Sequence, residues 1–210
     1  SIMTRRVRCL YVAVAVLFLV NFTVHNLNAA AMSTMSEEKS VYSSHSNKDN
    51  KIAITFDDGP HPRYTPEILD ILAEYHVSAT FFIIGENAEE YRDLVERIQL
   101  EGHEIGNHTY LHKNLQKATR EEIVAEIEQT ERVLVSMLDA RPKLFRPPGG
   151  LYNSDVCSAA ASLDYDVILW TLDTHDWKHT PVADMVAYVT SNISSGDIIL
   201  CHDYIGGGPS

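Results

Sequence analysis

Apolar and polar positions divide this chain into three stretches. From Cys9 to Val20 every residue is apolar, with no helical or strand period. Residues 32–50 are rich in Ser, Asn, Lys and Glu and show no apolar period. From residue 51 onward, short apolar runs alternate with amphipathic stretches. Lys51–Phe56, Ala79–Ile84, His103–Asn107, Lys143–Arg146, Asp166–Leu172 and Asp197–Cys201 are short and largely continuous in apolar residues, which predicts buried strands. Helices are predicted between them. Tyr64–Tyr75 carries Ile68, Leu69, Ile71 and Leu72 at helical spacing, and Ala88–Glu101 places Tyr91, Leu94, Val95 and Ile98 on one face before Gly102 stops it. Thr119–Leu138 opens on a capping box, Thr119 with Glu122 three residues on. Ser154–Leu163 and the proline-led Pro181–Asn192 complete the set. Six strands, five of them followed by a helix, predict an α/β fold with parallel strands, a barrel or partial barrel rather than an open sheet.

The first stretch reads differently. Residues 1–31 carry Arg5, Arg6 and Arg8, no acid, the apolar run, and Ala29-Ala30-Ala31. A basic start, an apolar centre and a small-residue end predict a signal peptide, or a signal anchor if uncleaved. Residues 32–50 then form a linker and 51–210 the folded domain, which places the protein outside the cell or on its surface. Any membrane contact runs through the leader. The chain carries −12 overall, and setting residues 1–31 aside removes three Arg and no acid, leaving −15. That balance excludes nucleic acid as the main partner, because phosphates require a basic surface. Three cysteines are too few for a disulfide scaffold, and whether Cys157 and Cys201 pair stays open. A monomer is expected.

In parallel α/β folds chemistry gathers at the C-terminal ends of the strands. Here those ends are loaded with polar groups: Asp57 and Asp58, then His108 and His112, then Arg146 to Gly150, then Asp173, His175, Asp176 and Trp177, then His202 and Asp203. His108 and His112 are four residues apart, so on a helical turn both imidazoles face the same way and can grip one metal. Asp57-Asp58 offers a carboxylate as third ligand. Two His and one carboxylate leave positions open for water and substrate, as catalytic metals need.

Five segments resemble, in order, the motifs of the NodB-type polysaccharide deacetylases (carbohydrate esterase family 4). They are Thr55-Phe56-Asp57-Asp58-Gly59-Pro60, His108-Thr109-Tyr110-Leu111-His112, Arg146-Pro147-Pro148-Gly149-Gly150, Asp173-Thr174-His175-Asp176-Trp177 and Ile198-Ile199-Leu200-Cys201-His202. The resemblance implies a distorted or incomplete (β/α) barrel, cut short after the sixth strand, since family domains continue past the fifth motif. It implies a divalent metal on Asp58, His108 and His112, commonly zinc, with cobalt, nickel or manganese as alternatives. Asp57 would be the general base, oriented by Arg146. His202 would be the general acid. Asp173 would hold His202 or pair with Arg146. The Gly149 N–H, after Pro148, would stabilise an oxyanion, and Trp177 and Leu200 would wall the acetyl pocket. The implied activity is N-deacetylation of GlcNAc-containing glycans, of peptidoglycan or chitin type, with release of acetate. O-acetyl esterase action on xylan and glycan binding without turnover are the alternatives. One departure stands out: Gly149 occupies the place where the family usually has Tyr, which removes a side chain from the substrate groove.

Overall fold

The structure, a computed structural model, describes residues 41–44 and 50–204. The expected leader, and all of the expected linker except residues 41–44 and 50, lie outside the described residues. Eight strands are present among the described residues: β1 Val41–Tyr42, β2 Ala53–Asp57, β3 Thr80–Ile83, β4 Glu104–Asn107, β5 Leu144–Phe145, β6 Asp166–Ile168, β7 Leu172–Asp173 and β8 Ile198–His202. They form one sheet in the order β1-β6-β5-β4-β3-β2-β8-β7, with every pairing parallel.

That order forces the sheet to curl. β6 lies near one end and β7 at the other, and only Leu169, Trp170 and Thr171 connect them. In a flat sheet the two strands would sit about 29 Å apart, at roughly 4.8 Å per step. The connecting chain reaches at most about 14 Å. The two ends must therefore approach each other, which yields the distorted barrel that the alternating pattern predicts.

Three predicted elements differ. The run Asp166–Leu172 is not one strand: it breaks at residues 169–171, where the chain crosses the seam between the sheet's ends. A continuous apolar run carries no mark of such a break. Val41–Tyr42, assigned to the linker, pairs in register with Val167 and Ile168, and Val41 packs on the core. Two residues are too few to show a period. The expected helix over residues 88–101 is two, α2 Gly85–Glu90 and α3 Arg92–Leu100, divided at Tyr91.

The other helices are α1 Tyr64–Glu74, α4 Arg120–Val135, α5 Ser154–Ser162 and α6 Val182–Asn192. The capping box of α4 is formed, with Glu122 N–H donating to Thr119 Oγ1 at 3.2 Å and Thr119 N–H to Glu122 Oε2 at 2.7 Å. One apolar core gathers Leu69, Phe81, Ile83, Val95 and Ile98 where α1 and α3 cover β3 and β4. A second gathers Ile123, Ile127, Phe145, Ala159 and Val167 where α4 and α5 cover β5 and β6. No helix among the described residues is long and apolar enough to cross a membrane. Cys157 and Cys201 are free thiols.

Two substitutions in and before α4 should separate packing from capping. Ile127→Ala empties a fully buried site and is expected to cost about 2–5 kcal/mol. Thr119→Ala removes only the cap and is expected to cost about 0.5–2 kcal/mol. Urea midpoints of the two variants check the order.

Candidate active site

The site is assembled where β2 ends. Asp57 is the last residue of that strand and is buried. Arg146, 0% exposed, donates from Nη1 to Asp57 Oδ1 and to Thr55 Oγ1, both at 2.7 Å. Its Nε and Nη2 donate to the carbonyls of Ile168 and Leu169, at 3.1 and 2.8 Å. The guanidinium also stacks 4.1 Å from the Phe82 ring centroid. Burying a cation is costly unless it is paired and hydrogen-bonded. Here one carboxylate and two carbonyls freed at the strand break supply that pairing.

The next residue turns away. Asp58 sits at φ +77°, and a cis Gly59-Pro60 bond follows. Asp203, one residue past β8, fixes this turn: Gly59 N–H donates to its Oδ1 at 3.1 Å and Thr65 Oγ1 to its Oδ2 at 2.6 Å. A Cβ on Gly59 would collide with that carboxylate, so the turn needs glycine. Burial, aided by the charges of Asp58 and Asp57, pushes the Asp203 carboxyl up to about 7 against the Thr65 hydrogen bond. In the sequence Asp203 stands out only as the neighbour of His202. His61, just after the turn, accepts through Nδ1 from the N–H groups of Arg63 at 3.1 Å and Tyr64 at 3.2 Å, where the chain enters α1.

Asp58 Oδ1 lies 3.2 Å from both His108 Nε2 and His112 Nε2. The ligand atoms of the three residues all fall within 4.8 Å of one another. The Asp58 oxygen is buried and takes no hydrogen bond. A buried unsatisfied anionic oxygen facing two imidazole nitrogens calls for a cation, and one O with two N donors is a set that zinc and similar divalent metals accept. Burial pushes the Asp58 carboxyl up, but His108 and His112 outweigh it and hold it below the usual carboxylate range. His108 Nδ1 lies 2.6 Å from the Arg146 carbonyl, so that nitrogen donates and the ring is held with Nε2 toward Asp58; burial pushes this imidazole down, but Asp57 and Asp58 raise it. His112 is 41% exposed in its side chain and forms the open side. The expected helical turn is absent: Thr109 and His112 have φ of +69° and +53°, and the segment is a loop.

His202 ends β8 across from Asp57, its register partner. Its acidic partner is Asp176, not Asp173. His202 Nδ1 and backbone N–H each lie 2.7 Å from an Asp176 oxygen. Asp173 pairs with neither His202 nor Arg146; it accepts from His175 N–H at 2.8 Å and Trp177 Nε1–H at 3.3 Å. A short 3-10 turn, Asp176–Lys178, flanked by His175 and His179 in left-handed conformation, swings Asp176 toward β8. Both carboxylates belong to the same five-residue motif, and only this turn distinguishes them. Burial pushes the His202 imidazole down, but Asp176, with the charges of Asp58 and Asp57, raises it to about 9.

These groups share a cleft of about 390 Å³ lined by Asp57, Asp58, His108, His112, Gly149, Asp173, Trp177, Leu200, His202 and one residue the sequence reading missed, Trp170. Arg146 and Pro148 are buried and do not line it. Gly149 has φ +63°, and a Cβ there would meet only Leu151, at 3.7 Å. Trp177 is 46% exposed at the rim. The cleft thus brings together a carboxylate held by Arg146 through one oxygen, with its other oxygen 3.7 Å from His108 Nε2, a candidate metal triad and a protonated imidazole.

The sequence profile of the polysaccharide deacetylases matches residues 44–168. The chain belongs to this family. Among its curated relatives, a peptidoglycan-N-acetylglucosamine deacetylase of Bacillus cereus is 41% identical over 157 residues, 75% of this chain and 57% of that protein. The chain therefore spans little more than half the length of that relative. A chitooligosaccharide deacetylase of Sinorhizobium fredii is 35% identical over 153 residues, 72% of this chain and 71% of that one. The crystal structure of the Bc1960 peptidoglycan N-acetylglucosamine deacetylase, in complex with 4-naphthalen-1-yl-N-oxidanyl-benzamide, superposes with a TM-score of 0.76 at 40% identity, covering 79% of this chain and 77% of that one.

The His202–Asp176 pair gives the chain a titration signature. In metal-free protein the His202 imidazole is expected to titrate near 9 by NMR, and Asp176→Asn should bring it toward the ordinary value of 6.5. A raised imidazole pKa stabilises the fold fully below the unfolded value and not above the folded one. The stability lost in Asp176→Asn should be largest below pH 6.5 and vanish as pH rises past about 9.

Proposed function

We propose that this chain is an exported, metal-dependent polysaccharide N-deacetylase that removes acetyl groups from GlcNAc-containing glycans of peptidoglycan or chitin type and releases acetate. The observation that carries the reading is the placement of Asp57 and His202 around the Asp58–His108–His112 triad in one cleft. When bound, a divalent metal such as zinc polarises the acetyl carbonyl and eases deprotonation of water beside it. Arg146 holds one oxygen of Asp57, and the other is left to take the proton of the attacking water. His202, protonated at neutral pH, gives its proton to the departing amine. The Gly149 N–H donates to the oxygen that becomes anionic on attack. Trp177 and Leu200 bound the space for the acetyl methyl. Asp173 acts through Trp177, whose indole N–H it accepts. One water is consumed, the amide C–N bond breaks, and acetate and a free amino sugar leave.

The glycan class is supported by the activities named for the relatives and by a cleft rimmed with an exposed tryptophan, a surface suited to a sugar face. Action outside the cell is supported by the basic, apolar, alanine-ended leader, through which any membrane contact would run. The protein acts as a monomer.

Purified full-length chain is expected to release acetate from chitin oligomers or peptidoglycan, to stop on treatment with a chelator, and to resume on addition of zinc. Cleavage of O-acetyl xylan with no amide cleavage would replace the reading with an esterase. Oligomer binding with no acetate would make it a glycan-binding protein. His202→Ala should lower acetate release by roughly 10²–10⁴-fold, the usual contribution of a positioned acid.

A further inference from the structure

The segment from Thr109 to His112 satisfies its backbone in an unusual way. All four of its N–H groups donate to side chains. Thr109 N–H goes to Asn107 Oδ1 at 2.9 Å, and His112 N–H to Thr109 Oγ1 at 3.1 Å. Tyr110 and Leu111 N–H both go to Glu126 Oε2, at 2.9 and 2.8 Å. Two carbonyls of the segment, those of Thr109 and Tyr110, accept from Gly85 and Glu86 at the start of α2. The chain is held here at positive φ twice, once at a β-branched threonine. Such geometry persists only where the surroundings over-determine it.

Asn107 and Thr109 are local to the segment. Glu126 is not: it projects from the second turn of α4, is 9% exposed, and places its other oxygen 3.2 Å from Lys113 Nζ. The same helix receives a second tie, Asn107 Nδ2–H to the Ile127 carbonyl at 2.8 Å. Glu126 does not line the cleft. A carboxylate accepting two backbone N–H groups makes charge-assisted bonds, stronger than neutral ones. These two fall between His108 and His112, where the chain must reverse for both imidazoles to face Asp58.

We propose that Glu126 is a positioning residue that sets metal affinity from α4. Its carboxylate clamps the Tyr110–Leu111 peptides, which preorganises His112 relative to His108 and Asp58. The inference rests on the metal-site reading above, so its test includes a measurement made without metal.

Hydrogen exchange of metal-free wild-type protein should show protected Tyr110 and Leu111 amides, although neither lies in a helix or strand. Zinc affinity is then read by competition with a chromophoric chelator, well below the melting temperature. Glu126→Ala should weaken zinc about 10–100-fold, the usual effect of removing a partner that orients ligands, and should speed exchange at both amides. Glu126→Gln, which keeps a neutral acceptor oxygen, should fall between wild type and alanine in both readouts. If the alanine variant does not fold, the wild-type protection and the glutamine shift carry the test. A purely structural role would lower the melting temperature and leave the zinc affinity of the folded variants at the wild-type value, which would overturn the proposal. Freely exchanging Tyr110 and Leu111 amides in wild type would overturn it too. Wild-type protein that keeps this protection but binds no zinc would overturn the metal reading and leave a clamp without a metal to serve.

Discussion

One buried cation, Arg146, organises both the barrel and the site. The sheet's order leaves a seam at residues 169–171, where the chain passes from β6 to β7 and the carbonyls before it need donors. Arg146 donates to Ile168 and Leu169 there and to Asp57 on β2. Its own carbonyl accepts from His108. A single residue therefore ties the seam, the candidate base and a candidate metal ligand. Removing one partner of such a buried ion pair leaves a bare charge in the interior, which costs about 3–5 kcal/mol. The position is consequently needed for the fold as much as for chemistry.

The adjacent carboxylates show how one sequence position separates two tasks. Asp57 remains in strand geometry and faces Arg146. Asp58 turns at positive φ, pinned by the Gly59 turn on Asp203, and faces two imidazoles. Two anions this close would repel if left alone. Asp57 has the Arg146 guanidinium beside it, and Asp58 faces the two imidazoles that would hold a metal with it. Across the cleft, Asp176 keeps the proton on His202. In the proposed function this sets Asp57 as base across the cleft from a protonated His202 as acid, as hydrolysis of an amide requires.

Much of this was legible in the sequence. Polar residues at five strand ends pointed to one face, and the cleft gathers groups from each of those ends. The capping box of α4 was readable because it depends on two residues at fixed spacing. What escaped depended on contacts far apart in sequence or on backbone reversals. The seam inside Asp166–Leu172 is hidden because apolar residues continue through it. The exchange of Asp173 for Asp176 follows from a 3-10 turn flanked by two histidines in left-handed conformation, which no spacing announces. The His108–His112 spacing suggested a helical turn, whereas the backbone is a loop held by side chains. Glu126 looks in sequence like one more acid on the polar side of an amphipathic helix, and only the fold turns it inward.

The division of labour between Asp57 and Asp58 is the central claim. It is tested most directly by measuring zinc affinity and acetate release on the same sample of Asp57→Asn. If Asp57 is the base and Arg146 keeps it out of the metal set, zinc binds as in wild type while acetate release falls roughly 10²–10⁴-fold. Loss of zinc binding in step with activity, or release at the wild-type rate, would contradict the account.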